Sequence, residues 1–256
     1  MPYGNSSYSM ADNNNILINL EKISFVFPDG KRVLEDLDLC LNKNERLGLI
    51  GPNGSGKTTL FRVIMGLFKA TSGKLSIFGR EMTHKKDFIP VRQQIGLLFQ
   101  DADDQLFSPT VLDDVAFGPL NQGKSPEEAK EISREILSSL GLQNFEDRIT
   151  YKLSGGEKKL VSLATVLAMK PKVLLLDEPT TGLDIETTKK IIHVLDVTDV
   201  ASIIISHDMD FIQRTSGTIY GMANGKILPD RGEYAHSHVH THGHGEVPHI
   251  HSDISD

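Results

Sequence analysis

Apolar positions along this chain fall first into short runs with a two-residue period. Ile16, Ile18 and Leu20, followed by Ile23, Phe25 and Phe27, have the spacing of β-strands. Pro28-Asp29-Gly30 predicts a turn, and Val33, Leu37, Leu39 and Leu41 predict another alternating strand. Residues 46–51 (RLGLIG) read as a short buried strand running into a glycine loop. The next apolar face, Leu60, Ile64, Leu67 and Phe68, has helical spacing, and residues 74–78 and 95–99 return to strand.

From 101 to 170 helical spacing dominates. Ser125-Pro126-Glu127-Glu128 predicts a capped helix start with proline in the first turn. Ile132, Ile136, Leu137 and Leu140 form its apolar stripe, and Gly141 ends it. After Pro171, buried strands are predicted at 173–176, 203–205 and 218–222. Strands joined by helices imply an α/β fold around a mostly parallel sheet, here interrupted by a helical insert. Residues 1–15 are polar and rich in Asn and Ser, and read as a flexible arm. The folded domain is expected over 16–231, with a helical subdomain over 101–170. Residues 232–256 have no core-forming periodicity and read as a disordered tail.

Composition narrows the classes. The chain has 256 residues with 39% hydrophobic content, enough for a substantial core. Its single cysteine excludes an intrachain disulfide and a cysteine-based zinc finger. A net charge of −7 lacks the basic excess of nucleic-acid binders, so no nucleic-acid partner is expected. No apolar run approaches the roughly 18–20 residues that span a bilayer. The N-terminus has neither a basic head nor an apolar stretch of the secretory kind, so a cytosolic protein is expected.

Gly51, Pro52, Asn53, Gly54, Ser55, Gly56, Lys57 and Thr58 match G-x-x-x-x-G-K-[ST] between a predicted strand and a predicted helix, with Thr59 next in the helix. Glycines let the backbone wrap a polyphosphate, and the helix N-terminus supplies a positive field. Lys57 places a cation on the β/γ-phosphates, and the Thr58 hydroxyl is a hard oxygen ligand for Mg²⁺. The run at 173–176 delivers Asp177 and Glu178 to a strand end, where α/β folds bind ligands. Beside a phosphate loop, Asp177 is expected to hold Mg²⁺ and Glu178 to polarise an attacking water. Leu153-Ser154-Gly155-Gly156-Glu157 fits a capping box. A cap does not need Gly155 and Gly156, which weaken a first turn but leave its amides open to a phosphate.

With these motifs in hand, residues 16–231 resemble the nucleotide-binding subunits of ABC transporters. The resemblance implies a P-loop NTPase cassette with a RecA-like, mostly parallel core, an antiparallel β subdomain and an α-helical insert. It makes Gln100 the Q-loop residue, a Mg²⁺ and catalytic group; 153–157 the signature; 181–184, ending in Asp184, the D-loop; and His207 the switch histidine. Phe27 stands where the family stacks an aromatic on adenine; Phe25 is close by, and core packing serves for either. The family reading is of ATP-driven head-to-tail dimers, of this chain with itself or with a close relative. Each nucleotide then lies between one phosphate loop and the partner's Ser154, Gly155 and Gly156. Residues 101–111 and 118–120 are similar to energy-coupling-factor and cobalt/nickel transporter ATPases, where they lie near the membrane-embedded partner. A peripheral position on the cytoplasmic face of the membrane follows. Leu160 and Glu157 depart from common family choices near the signature, basic and Gln respectively.

One compositional feature lies outside the cassette. His236, His238, His240, His242 and His244 alternate, and His249 and His251 repeat the spacing. Neutral imidazoles on an extended chain suit Ni²⁺, Co²⁺, Zn²⁺ or Cu²⁺. With the subgroup resemblance, the expectation is a nickel or cobalt uptake ATPase whose tail handles the ion. The alternatives are an energy-coupling-factor vitamin transporter and a soluble ABC ATPase, with the tail storing or sensing metal.

Overall fold

The computed structural model describes residues 15–198 and 200–228. The arm expected before Ile16, except Asn15, and the histidine tail lie outside the described residues. In chain order the elements are β1 (Ile16–Val26), β2 (Arg32–Asn42), β3 (Arg46–Ile50), α1 (Lys57–Ile64), β4 (Ser72–Ile77) and β5 (Arg80–Glu81). There follow α2 (Ile89–Arg92), β6 (Ile95–Leu98), α3 (Val111–Asn121), α4 (Pro126–Ser139) and α5 (Gly155–Leu167). The chain continues with β7 (Val173–Asp177), α6 (Ile185–Val197), β8 (Ala201–Ile205), α7 (Met209–Thr215), β9 (Thr218–Ala223) and β10 (Lys226–Leu228).

Two sheets form. Strands β2-β1-β4-β5 make an antiparallel sheet, and β10-β9-β3-β8-β7-β6 make a second one that is parallel except for β10. Pleating sends neighbouring residues of β7 to opposite faces. Val173 and Leu175 enter the core shared with the antiparallel sheet and α1, whereas Leu174 and Leu176 enter the core under α3–α7. Burial on both faces explains the unbroken apolar run. Helix α4 starts as expected, with Ser125 and Glu128 capping each other and Pro126 in the first turn. No helix among the described residues is long and apolar enough to cross a membrane.

Three local expectations need correction. The runs that start at Ile16 and Ile23 lie in one strand, which ends at Val26 before Phe27, and its buried set switches from Ile18 and Leu20 to Ile23 and Phe25. Lys22, at φ 52°, and a register shift between Leu20 and Ile23 cause the switch. In β2 Leu34, not Val33, is buried with Leu37, Leu39 and Leu41, because Asp36 at φ 44° shifts the phase. Helix α1 ends before Leu67, which is 52% exposed. Gly66, at φ 63°, turns the chain where a Cβ would lie 2.4 Å from the Phe88 ring. Phe68 instead stacks on Phe25, with centroids 5.1 Å apart.

Candidate nucleotide site

The parallel sheet brings the C-terminal ends of β3, β7 and β8 together, and the loops leaving them surround a cleft of about 460 Å³. Phe27, Asn53, Gly54, Gly56, Lys57, Thr58, Thr59, Gln100, Asp177, Glu178 and His207 all line it. Gly51, Pro52 and Ser55 shape the loop without lining the cleft. A Cβ on Gly51, at φ 153°, would lie 2.0 Å from the Met222 carbonyl oxygen. One on Gly56, the α1 N-cap at φ 108°, would approach the Val33 carbonyl oxygen to 2.8 Å. The loop is therefore wedged against β9 and β2, and only glycine fits at these two positions.

The Lys57 ammonium donates to the Gly51 and Pro52 carbonyls at 2.7 and 3.1 Å. Burial pushes its pKa below the ordinary lysine value, while the charges of Glu178 and Asp177 oppose that shift. Asp177 is buried at the end of β7, and its carboxyl is pushed up by burial first. A hydrogen bond from Thr58 pulls it down, neighbouring Glu178 raises it, and Lys159 and Lys57 pull it down. A hydroxyl and a carboxylate joined in this way are hard oxygen donors facing the phosphate loop. They fit Mg²⁺, which takes few protein ligands and completes its shell with water and phosphate oxygens.

Glu178 has left-handed backbone at φ 48°, a conformation costly for a residue with a side chain. Its amide donates to the Ile205 carbonyl at 2.9 Å, which ties the turn after β7 to the end of β8. Carboxylate Oε2 accepts from the Thr181 hydroxyl at 3.0 Å and from the His207 amide at 3.3 Å. Oε1 lies 3.2 Å from His207 Nε2 without hydrogen-bond geometry and is otherwise unpartnered. The same Nε2 lies 3.1 Å from Asn53 Oδ1 in the phosphate loop. One imidazole thus spans the strand-end carboxylate and the loop. Of the two candidate aromatics, Phe25 is buried in the core, whereas Phe27 is half-buried and faces the cleft, 5.0 Å away edge-on.

Ser154, Gly155, Gly156 and Asp184 do not line the cleft. The Ser154 hydroxyl accepts from the Glu157 amide at 3.3 Å, and Glu157 returns a bond to the Ser154 amide at 2.8 Å. A Cβ on Gly155 would meet nothing within 4 Å, and one on Gly156 would lie 3.7 Å from Thr187 Oγ1. The open start of α5 therefore adjoins the start of α6. Asp184 caps α6, accepting from the Thr187 amide at 2.8 Å. Lys31, Val33, Thr181 and Ile205 line the cleft as well, without being expected from the sequence. Thr181 belongs to the 181–184 motif, and Val33 falls in the alternating pattern of β2, so neither carries a signal for the cleft on its own. The tail histidines lie outside the described residues. Among the described residues no cluster of His, Cys, Asp and Glu is arranged to hold a metal ion.

A strand, glycine loop and helix facing a strand-end carboxylate pair, on this two-sheet frame with its helical layer, define an ATP-binding cassette of the P-loop NTPase class. The chain belongs to the ABC transporter family, whose model matches residues 34–181. It is 41% identical over 218 residues to the energy-coupling factor transporter ATP-binding protein EcfA of Methanothermobacter thermautotrophicus, covering 84% of this chain and 70% of the relative. Its fold matches that of cbiO1 from Clostridium perfringens, described as part of the ABC transporter complex cbiONQ. That match has a TM-score of 0.75 and 32% identity over 84% of this chain and 88% of the other. A dimeric bacterial ABC transporter cassette matches with a TM-score of 0.77 and 26% identity, over 83% of this chain and 97% of the other. The chain is thus an ABC ATPase, an ATP-hydrolysing enzyme that powers a transporter.

Proposed function

We propose that this chain is the ATP-hydrolysing subunit of a nickel or cobalt uptake transporter, held at the cytoplasmic face of the membrane by transmembrane subunits. The contact that joins Glu178, His207 and Asn53 carries the catalytic part of the reading. Lys57 and the backbone N–H groups of 53–56 hold the β- and γ-phosphates, and Phe27 stacks on the adenine. Thr58, Asp177 and Gln100 hold Mg²⁺, which when bound neutralises charge on the phosphate oxygens. Glu178 accepts the proton of the water that attacks the γ-phosphorus, and ADP leaves. His207 donates to the γ-phosphate and holds it in line.

Ser154, Gly155 and Gly156 lie away from the cleft of their own chain, on an open helix start. A second copy, or a paralogous ATPase, turned head to tail brings these amides onto the γ-phosphate. ATP then favours the closed dimer, and hydrolysis releases it.

A face formed by α3 and the segment before it supports the transmembrane partner. Phe107 and Phe117 are 67% and 48% exposed there and pack edge to face at 4.8 Å beside a groove of about 300 Å³. Two adjoining exposed aromatics offer an apolar face that a partner could bury. The alternating histidines support the metal cargo, because imidazoles select late transition metals. A second reading, an energy-coupling-factor transporter for another cargo, is favoured by the EcfA relative.

The two separate in vesicles that contain the full chain and the membrane proteins that co-purify with it. ATP-driven accumulation of radiolabelled Ni²⁺ or Co²⁺ is expected. ATP turnover without accumulation of either ion would remove the metal cargo and leave the ATPase reading standing.

A further inference from the structure

Lys159 is a lysine buried to 4% exposure, just over one turn into α5. Its ammonium donates to the carbonyl of Phe99 at 3.0 Å and to that of Gln100 at 2.7 Å. These carbonyls belong to the two peptide planes that flank the Gln100 Cα. Pinning both fixes the direction in which the Gln100 side chain leaves the backbone, and Gln100 lines the nucleotide cleft. Gln105 supplies a second pin. Its Oε1 accepts from the Phe99 amide at 3.1 Å, while its Nε2 donates to Ser162 O and Thr165 Oγ1, each at 2.8 Å. Lys158 adds an ion pair to Asp103 at 2.6 Å.

Burying an ammonium is costly unless hydrogen bonds replace its water. Here the replacement is backbone of the segment entering the cleft, and the carboxylates whose charge reaches it are Asp177, Asp101 and Glu178. Residues 99–105 are therefore fastened to α5 rather than only hinged to β6. The same helix opens with the signature residues 154–156.

We propose that Lys159 is a positioning residue for ATP hydrolysis, with Gln105 as its second support. By pinning both peptide planes of Gln100 to α5, it sets where the Gln100 side chain stands in the cleft. This rests on the role proposed above for Gln100.

The test is a double-mutant cycle on the full chain, read as steady-state ATPase. Lys159→Met keeps the stem and removes the charge. It should lower kcat about 10- to 100-fold and change the KM for ATP less than about threefold. Combined with Gln100→Ala, it should cost less than about twofold beyond Gln100→Ala alone, since one residue acts through the other. Gln105→Ala should show the same lack of additivity, and it carries the test if Lys159→Met does not fold. Fully multiplicative losses would overturn the proposal and leave the role of Gln100 intact. An unchanged kcat in Gln100→Ala alone would overturn both.

Discussion

His207 meets Glu178 twice: its Nε2 lies 3.2 Å from Oε1, and its backbone amide donates to Oε2 at 3.3 Å. The imidazole side chain is half exposed and adds little to the core. Its removal should be felt in catalysis and not in folding. His207→Ala should lower kcat on the order of 100-fold, the loss seen when one donor to a transition-state oxygen is removed. The melting temperature should hardly move. Equal loss of stability and activity would return His207 to a structural role.

Phe25 and Phe27 separate by the same logic. Phe27→Ala should weaken ATP binding by about 1–3 kcal/mol, the range for loss of base stacking on an aromatic ring, with a small change in stability. Phe25→Ala should cost about 3–5 kcal/mol of folding free energy, since it empties a buried ring position. Nucleotide titration and urea unfolding of both variants measure the two effects. The reverse pattern would move the adenine platform to Phe25.

The start of α5 combines a cap with a candidate phosphate contact. The Ser154 amide holds the Glu157 carboxyl below its ordinary range; burial opposes this, and the Ser154 hydroxyl and Arg148 lower it further. A lowered folded value means that this contribution to stability is fully present above the unfolded value of 4.5. It is lost as the pH falls through the folded value. Glu157→Gln keeps the capping-box geometry and removes the titration. Thermal melts from neutral pH down through the carboxylate range should show wild type and Glu157→Gln converging toward the acid end. Ser154→Ala should cost about 1 kcal/mol of stability as a lost cap. Its ATPase loss should exceed what that destabilisation explains. An ATPase loss no larger than that would leave Ser154 a cap alone.

The proposed metal cargo implies that the histidine tail binds the ion in a pH-dependent way. Truncation after Gly232 should keep ATPase activity and remove most Ni²⁺ and Co²⁺ binding measured by calorimetry. In the full chain the affinity should fall as the pH drops through about 6.5, where imidazoles protonate. Undiminished binding by the truncated chain would assign the metal elsewhere.

The cleft was readable in the sequence wherever chemistry is written as a contiguous motif. Residues 51–58, the pair Asp177 and Glu178, and His207 after its strand meet in space because parallel strands all end on one side. Phase within the antiparallel sheet was not readable. Lys22 and Asp36 take positive φ without glycine or asparagine to announce it, and each flips the buried face. Lys159 and Gln105 escaped for another reason. Each is an ordinary polar residue in the sequence, and the bonds that fasten residues 99–105 to α5 span 57–60 positions along the chain.

On the function proposed above, one chain holds two halves of an ATP site in separate places, and ATP joins two chains. Glu178→Gln separates joining from turnover, since it removes the proposed proton acceptor and leaves the cleft in place. With Mg-ATP, light scattering after size exclusion should show a stable dimer retaining nucleotide, with turnover about 100-fold or more below wild type. A variant that binds ATP and stays monomeric, or near-normal turnover, would rule the shared site out.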